Sequence, residues 1–268
     1  MRGSTKIVKR HGVIVILDAL GIKGIWNGKY PEETTKIIDI WDSIVDSYRY
    51  FYNRDPHLIS SVSLKAFSDT LIITAYSDKV DQTLVETGSE VVALILDSML
   101  KGFFFRGCIS VGDFYEGKNM ILGPTIDEAA QYYDQSDWIG VFLTSSACKT
   151  FRNISEKRFQ SIPTQNVIVK CDVPLKTGIE KNGYALNLNE YAKAHHSFKT
   201  HYDDIPETID DILKFELNKT NDPSALLKIK NTMSFIQNYR HTPQNTSRVI
   251  SHHSYENMWN RDEFEFFK

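Results

Sequence analysis

The spacing of hydrophobic positions changes along this chain, and each change marks an element. Val13-Ile14-Val15-Ile16-Leu17 is an unbroken apolar run, mostly β-branched, that ends in Asp18-Ala19-Leu20-Gly21. It predicts a strand buried on both faces, with a carboxylate where the strand stops. From Pro31 the period becomes helical, because Ile37, Ile40, Trp41, Ile44, Val45, Tyr48, Phe51 and Tyr52 share one stripe. Proline and two acids open that helix, and Asp55-Pro56 breaks it. Residues 58–67 and 69–76 are β-rich runs on either side of Ser68, predicting a hairpin with Asp69 near its turn. A second helix over 81–101 aligns Leu84, Gly88, Val91, Ile95 and Met99, with Gly102 as its C-cap. Residues 103–112 read as a central strand, Leu122-Gly123-Pro124 opens a helix running to Tyr133, and 138–143 is a strand followed by a short helix from Ser145 to Phe151. Residues 167–170 and 184–188 close a last hairpin.

The first six elements run β-α-β-β-α-β, the order of the ferredoxin-like split βαβ motif. The predicted class is therefore α+β: a βαββαβ core, an added αβ unit and β-hairpin over residues 1–190, then a C-terminal helical extension over 191–268. In that extension the composition turns acidic around Asp203-Asp204 and Asp210-Asp211, and residues 223–239 are amphipathic, which suits helical packing or dimerisation.

Composition narrows the function. A net charge of -3 across 268 residues gives no general attraction to nucleic acid or to a membrane surface. Cys108, Cys148 and Cys171 lack CxxC spacing, so neither a zinc site nor a disulfide framework is suggested and a reducing cytoplasm is expected. No apolar run approaches the ~18 residues of a membrane span.

The candidate chemistry lies in two carboxylates placed at strand tips. Asp18 and Asp69, brought together, could hold Mg²⁺ or Mn²⁺ against a polyphosphate, since these ions favour a few carboxylates plus phosphate oxygens. Asp18 alone suits a turn or capping carboxylate equally well, and Ser68-Asp69-Thr70 is good turn chemistry by itself. Arg106, if buried, requires an anion, and Asp113 or another acid could supply it. The pairs His195-His196 and His252-His253 lack acidic or cysteine partners at ligand spacing and suit a polar surface.

Taken together these motifs resemble the class III nucleotidyl cyclase catalytic domain, over roughly residues 11–190. Asp18-Ala19-Leu20-Gly21 matches its first strand end. Lys65-Ala66-Phe67-Ser68-Asp69 keeps its hairpin spacing with serine in place of glycine, and Arg106-Gly107-Cys108-Ile109-Ser110-Val111-Gly112 its fourth strand. Gly123-Pro124-Thr125-Ile126-Asp127-Glu128-Ala129-Ala130-Gln131 resembles its next helix, and Val169-Lys170 its late strand. The compact form is most similar to the bacterial pyrimidine cyclases of the Pycsar antiphage system. The resemblance implies two Mn²⁺ or Mg²⁺ ions per site on Asp18, Asp69 and the carbonyl near Ala19, with Arg106 and Lys170 assisting catalysis. Lys65 and Met120 would read the base, and Asp127 and Gln131 would contact the ribose and phosphates. It further implies a nucleoside triphosphate substrate, a head-to-tail homodimer with shared sites, and a separate effector that senses the cyclic product. Gln131 stands where purine cyclases carry an arginine, which leaves open a purine enzyme or a catalytically degenerate nucleotide-binding domain.

Overall fold

A computed structural model describes residues 7–21, 31–54, 61–154, 167–189 and 209–239. Strand β1 spans Val8–Leu20, helix α1 Pro31–Arg54, β2 Ser61–Phe67, β3 Thr70–Tyr76, α2 Val80–Leu100 and β4 Phe104–Gly117. There follow β5 (Met120–Leu122), α3 (Pro124–Tyr132), β6 (Gly140–Leu143), α4 (Ser145–Arg152), β7 (Ile168–Leu175) and β8 (Gly178–Leu186). Two C-terminal helices, α5 (Ile209–Lys219) and α6 (Pro223–Tyr239), complete the described chain.

The strands form one mixed sheet in the order β2-β3-β1-β4-β6-β8-β7, with β5 added to β4. Its first part, β4-β1-β3-β2, is the antiparallel order of the split βαβ motif, as expected. Strand β6 joins β4 in parallel and continues the sheet into the β8–β7 hairpin. The α+β class and the added αβ and hairpin units are thus as the sequence predicts.

Alternation along β1 and its neighbours assigns the faces. Val13, Val15 and Leu17 point the same way as Leu71, Ile73 and Ala75 of β3, and all are fully buried. Helices α1 and α2 cover this side, with Leu84, Val91, Ile95 and Met99 buried as predicted. Burial of a side chain of this size contributes roughly 1.5–3 kcal/mol. Trp41 packs 5.7 Å from the Phe105 ring, and Ile44, Val45 and Tyr48 complete the α1 contact. Helix α2 ends in a Schellman arrangement: Phe103 N–H reaches Ser98 O at 2.8 Å, Gly102 N–H reaches Met99 O at 3.0 Å, and Gly102 takes φ +76°. All three cysteines are buried, and desolvation pushes the thiols of Cys148 and Cys171 up to about 11 and about 12.

Several boundaries differ from the sequence reading. Strand β1 begins at Val8, because its polar first half pairs with a β4 that runs on to Gly117. Strand β5 was not expected; three residues after a Lys118-Asn119 turn carry too short a pattern. Strands β7 and β8 extend to Leu175 and start at Gly178: Val173, Pro174 and Leu175 pair with Glu180, Ile179 and Gly178, and residues 178–182 of β8 are all exposed. Asp55-Pro56, both histidine pairs and residues 58–60 lie outside the described residues. Among the described residues no helix is long and apolar enough to cross a membrane.

The β2–β3 hairpin closes through Ser68-Asp69, and Ser68 holds φ +55°. A positive φ at the first central residue alone is the type II′ pattern, which favours glycine there. Ser68→Gly is therefore expected to stabilise the fold by up to about 1 kcal/mol. Urea denaturation checks this, and a lowered midpoint would contradict the turn assignment.

Candidate functional site

The face of the sheet opposite α1 and α2 carries Asp18, Ile16 and Ile14 of β1, opposite Arg106, Cys108 and Ser110 of β4. Helix α3 runs back down this face. Ser110 Oγ donates to Thr125 O at 2.8 Å, and Cys108 Sγ to Ala129 O at 3.3 Å. Two residues down a strand cover ~6.7 Å and four along a helix ~6 Å, so the two elements stay in step. The next pair in that series is Arg106 with Tyr133, and the turn after α3 arrives at the end of β1.

There Arg106 and Asp18 are direct cross-strand neighbours. Nε and Nη2 of Arg106 both lie 2.8 Å from Asp18 Oδ2, and Nη1 donates to the Ser136 carbonyl at 3.2 Å. The side chains are only 12% and 15% exposed, so the guanidinium has the anion its burial requires. Asp113, the other partner considered, is held instead by Lys9 Nζ and His11 Nδ1, each at 2.7 Å. Arg106 sits beside Gly107, where any Cβ would lie 2.0 Å from Ile16 O. Only glycine lets β4 approach β1 this closely.

Asp69 reaches the same place from the hairpin tip. Ala19 N–H donates to the Asp69 carbonyl at 2.8 Å, tying the end of β1 to the turn. Within an antiparallel strand the N–H and C=O of one residue point the same way, so the Ala19 carbonyl also faces the tip. Burial raises the pKa of Asp18, the hydrogen bond and charge of Arg106 oppose that rise, and the negative charges of Asp69 and Asp134 add to it. Tyr133 is likewise raised, by burial first and then by Asp18, Asp134 and Asp69. Asp134 and Tyr133 escaped the sequence reading; their only signal is their place one helical turn beyond Ala129, which requires the α3–β4 register to interpret.

Excess negative charge, a free Asp18 Oδ1 among the described residues, and an inward-facing carbonyl make an all-oxygen donor set suited to a hard divalent cation. No cluster of three or more His, Cys, Asp or Glu side chains at ligand spacing forms among the described residues. Asp18 and Asp69 plus the Ala19 carbonyl therefore fit an ion that takes its remaining ligands from water or phosphate.

The other predicted residues lie apart from this cluster. Lys65 Nζ donates to Gly117 O at 3.3 Å and sits 3.9 Å from Glu116 Oε1, which also accepts from Thr74 Oγ1 at 3.1 Å. Met120, 42% exposed, is the cross-strand neighbour of Gly117, whose carbonyl accepts from Lys65. Lys65 pairs with Ile72, next to Ile16, which places it about 12 Å from Asp18 on the same face by strand spacing. Asp127 and Gln131 are exposed on one face of α3. Lys170 is exposed on the edge strand β7, four strands from β1, and is not brought to Asp18 within one chain.

No protein-family model matches the chain, and no curated protein does. Among solved structures, it is similar to the catalytic core of a rhodopsin-guanylyl cyclase with converted specificity in complex with ATPαS, at 12% identity and a TM-score of 0.47, covering 68% of this chain and 98% of that one. It is also similar to the guanylyl cyclase Cya2, at 13% identity and a TM-score of 0.40, over 54% of this chain and 79% of that one. A class III adenylyl cyclase-like ATP-binding protein from Pseudomonas aeruginosa is matched at 11% identity and a TM-score of 0.45, over 93% of this chain and 50% of that one.

Proposed function

We propose that the chain is a metal-dependent nucleotide cyclase, converting a nucleoside triphosphate into a 3′,5′-cyclic nucleotide and pyrophosphate. The observation that carries this reading is the 2.8 Å bond from Ala19 N–H to Asp69 O, which joins the two acidic strand tips beside a buried Arg106. In the reaction the ribose 3′-oxygen bonds to the α-phosphorus, the bond to the β-bridging oxygen breaks, and the 3′ proton leaves to solvent. Such a displacement needs alignment and charge neutralisation rather than covalent help. Asp18, Asp69 and the Ala19 carbonyl would hold Mn²⁺ or Mg²⁺, two per site, which when bound supply charge neutralisation and a more acidic hydroxyl. Arg106 keeps Asp18 oriented, because three of its N–H groups are already committed within the chain.

The remaining residues require a second copy. Lys170, Asp127 and Gln131 are exposed and lie away from Asp18, which suits a homodimer whose sites take these groups from the partner. Phe67, beside Asp69 and 79% exposed, gives this face an apolar group for such a contact. Met120 has only a thioether to offer a purine edge, so we favour a pyrimidine product, cUMP or cCMP, made for antiphage signalling to a separate cyclic-nucleotide-binding effector. The neutral Gln131 favours a second reading, a nucleotide-binding domain without turnover.

Incubation with each nucleoside triphosphate and Mn²⁺, with the product identified by mass spectrometry, tests both. A cyclic pyrimidine supports the first reading, a cyclic purine corrects the base, and no product from any triphosphate leaves the second. Asp69→Ala is expected to abolish turnover while the dimer persists in size-exclusion chromatography, and a retained rate would remove the metal role. Mixing Asp18→Ala with Lys170→Ala protein should restore part of the activity if sites are shared; no rescue in demonstrated mixed dimers would make each site self-contained. The raised Asp18 pKa has a definite sign in stability. The native metal-free chain holds that proton more tightly than the unfolded chain, so wild type should lose stability relative to Asp18→Asn as pH rises through the native pKa. Denaturation with and without Mn²⁺ between about pH 4 and about pH 7 checks it. Mn²⁺ should reverse the loss, and a difference that grows in favour of wild type with rising pH would contradict it.

A further inference from the structure

The C-terminal helix α6 spends most of its polar contacts on one short segment of the cyclase-like sheet. Thr232, fully buried, accepts the Ile139 N–H on its Oγ1 at 2.8 Å and passes its own proton to Lys228 O at 2.7 Å. Asn231 Nδ2 donates to Asp137 O at 2.8 Å, and Lys228, 8% exposed, lies 3.7 Å from Asp137 Oδ1. Between them Trp138 packs against Phe235 with centroids 4.4 Å apart and ring planes inclined by 50°. Residues 137–139 precede β6, which starts at Gly140; β7 takes the Asp137 N–H on Pro174 O at 3.0 Å and bridges Ser136 to Leu175, which leaves the Asp137 carbonyl and the Ile139 N–H to other partners. Polar main-chain groups buried this deeply require partners, and α6 supplies them for these two.

The residue just before this segment is Ser136, whose carbonyl receives Arg106 Nη1 at 3.2 Å. A continuous path of hydrogen bonds and peptide units thus runs from Thr232 and Asn231, through residues 136–139, to the guanidinium that orients Asp18. Helix α5 backs α6 through Ile212 and Leu213, both in the same core. We propose that the α5–α6 pair is a positioning element of the candidate site, with Thr232 and Asn231 as positioning residues that hold Arg106 against Asp18. The C-terminal extension then belongs to the catalytic geometry as well as to the packing. The kinetic part rests on the cyclase reading, whereas the placement of Arg106 does not.

Thr232→Val removes the acceptor with little change in volume, and Thr232→Ser retains it. The Arg106 Nε–H resonance, identified by its loss in Arg106→Lys, can be followed by NMR in the metal-free, nucleotide-free protein. Its solvent exchange is expected to rise at least about tenfold in Thr232→Val and to stay unchanged in Thr232→Ser, as local opening at a lost tether requires. Ile95→Val, a core change in α2 that lowers stability by a similar amount, should leave the resonance alone. With active enzyme, Thr232→Val should also lower kcat about tenfold or more at unchanged nucleotide KM, the signature of misplacement rather than lost binding. Asn231→Ala provides the same measurement should Thr232→Val fail to fold. Exchange at Arg106 equal to wild type, or raised equally by Ile95→Val, would overturn the proposal. If wild type turns over no triphosphate, the cyclase reading falls and the exchange result alone decides this one.

Discussion

The arrangement depends on a buried charge pair. Arg106 and Asp18 face each other across β1 and β4 with 12% and 15% of their side chains exposed, and the guanidinium finds its anion there. Removing Arg106 would leave the Asp18 carboxylate facing Asp69 and Asp134 without a counter-charge. The pair therefore constrains more than its own energy suggests. It fixes which residues of β1 and β4 lie opposite, and so places Asp18 beside the hairpin tip that carries Asp69.

Helix α3 brings further chemistry into the same field by staying in step with β4. Each pleat of the strand meets one turn of the helix, first through Ser110 and Thr125, then through Cys108 and Ala129. The third contact falls where Tyr133 and Asp134 leave the helix and add hydroxyl and carboxylate to the Asp18 environment. Asp134 is itself paired with Lys176 at 3.2 Å, so three acids share two cationic groups, and the carboxylates of Asp69 and Asp134 still act on Asp18 against the pull of Arg106.

How much of this could be read beforehand follows from the physical reach of each pattern. The run from Val13 to Leu17, the stripe of α2 and the hairpin around Ser68 declare themselves because burial on a periodic face leaves a periodic sequence. Asp18 and Asp69 were legible as strand-tip acids, yet their union was not, since it depends on a backbone bond from Ala19 that carries no residue signature. The partner of Arg106 was open between Asp113 and another acid until register decided it. The Ser136 carbonyl, like the grip of Thr232 on Ile139, is main-chain chemistry and invisible to any motif. The outer halves of β7 and β8 leave no legible pattern for other reasons: residues 178–182 of β8 are exposed, and the register shift between Cys171 and Val173 interrupts β7 before Pro174.

The cysteines carry a consequence of a different kind. Cys108, Cys148 and Cys171 all lie in the interior, and desolvation holds each as an un-ionised thiol far from the range where thiolates form at neutral pH. Cys108 lies in β4 under α3, Cys148 on the buried side of α4 and Cys171 in β7, the last two near enough to act on each other. Electrophiles that attack sulfur would find nothing to react with until one of those layers lifts, and the order in which the sulfurs become labelled would map which layer lifts first.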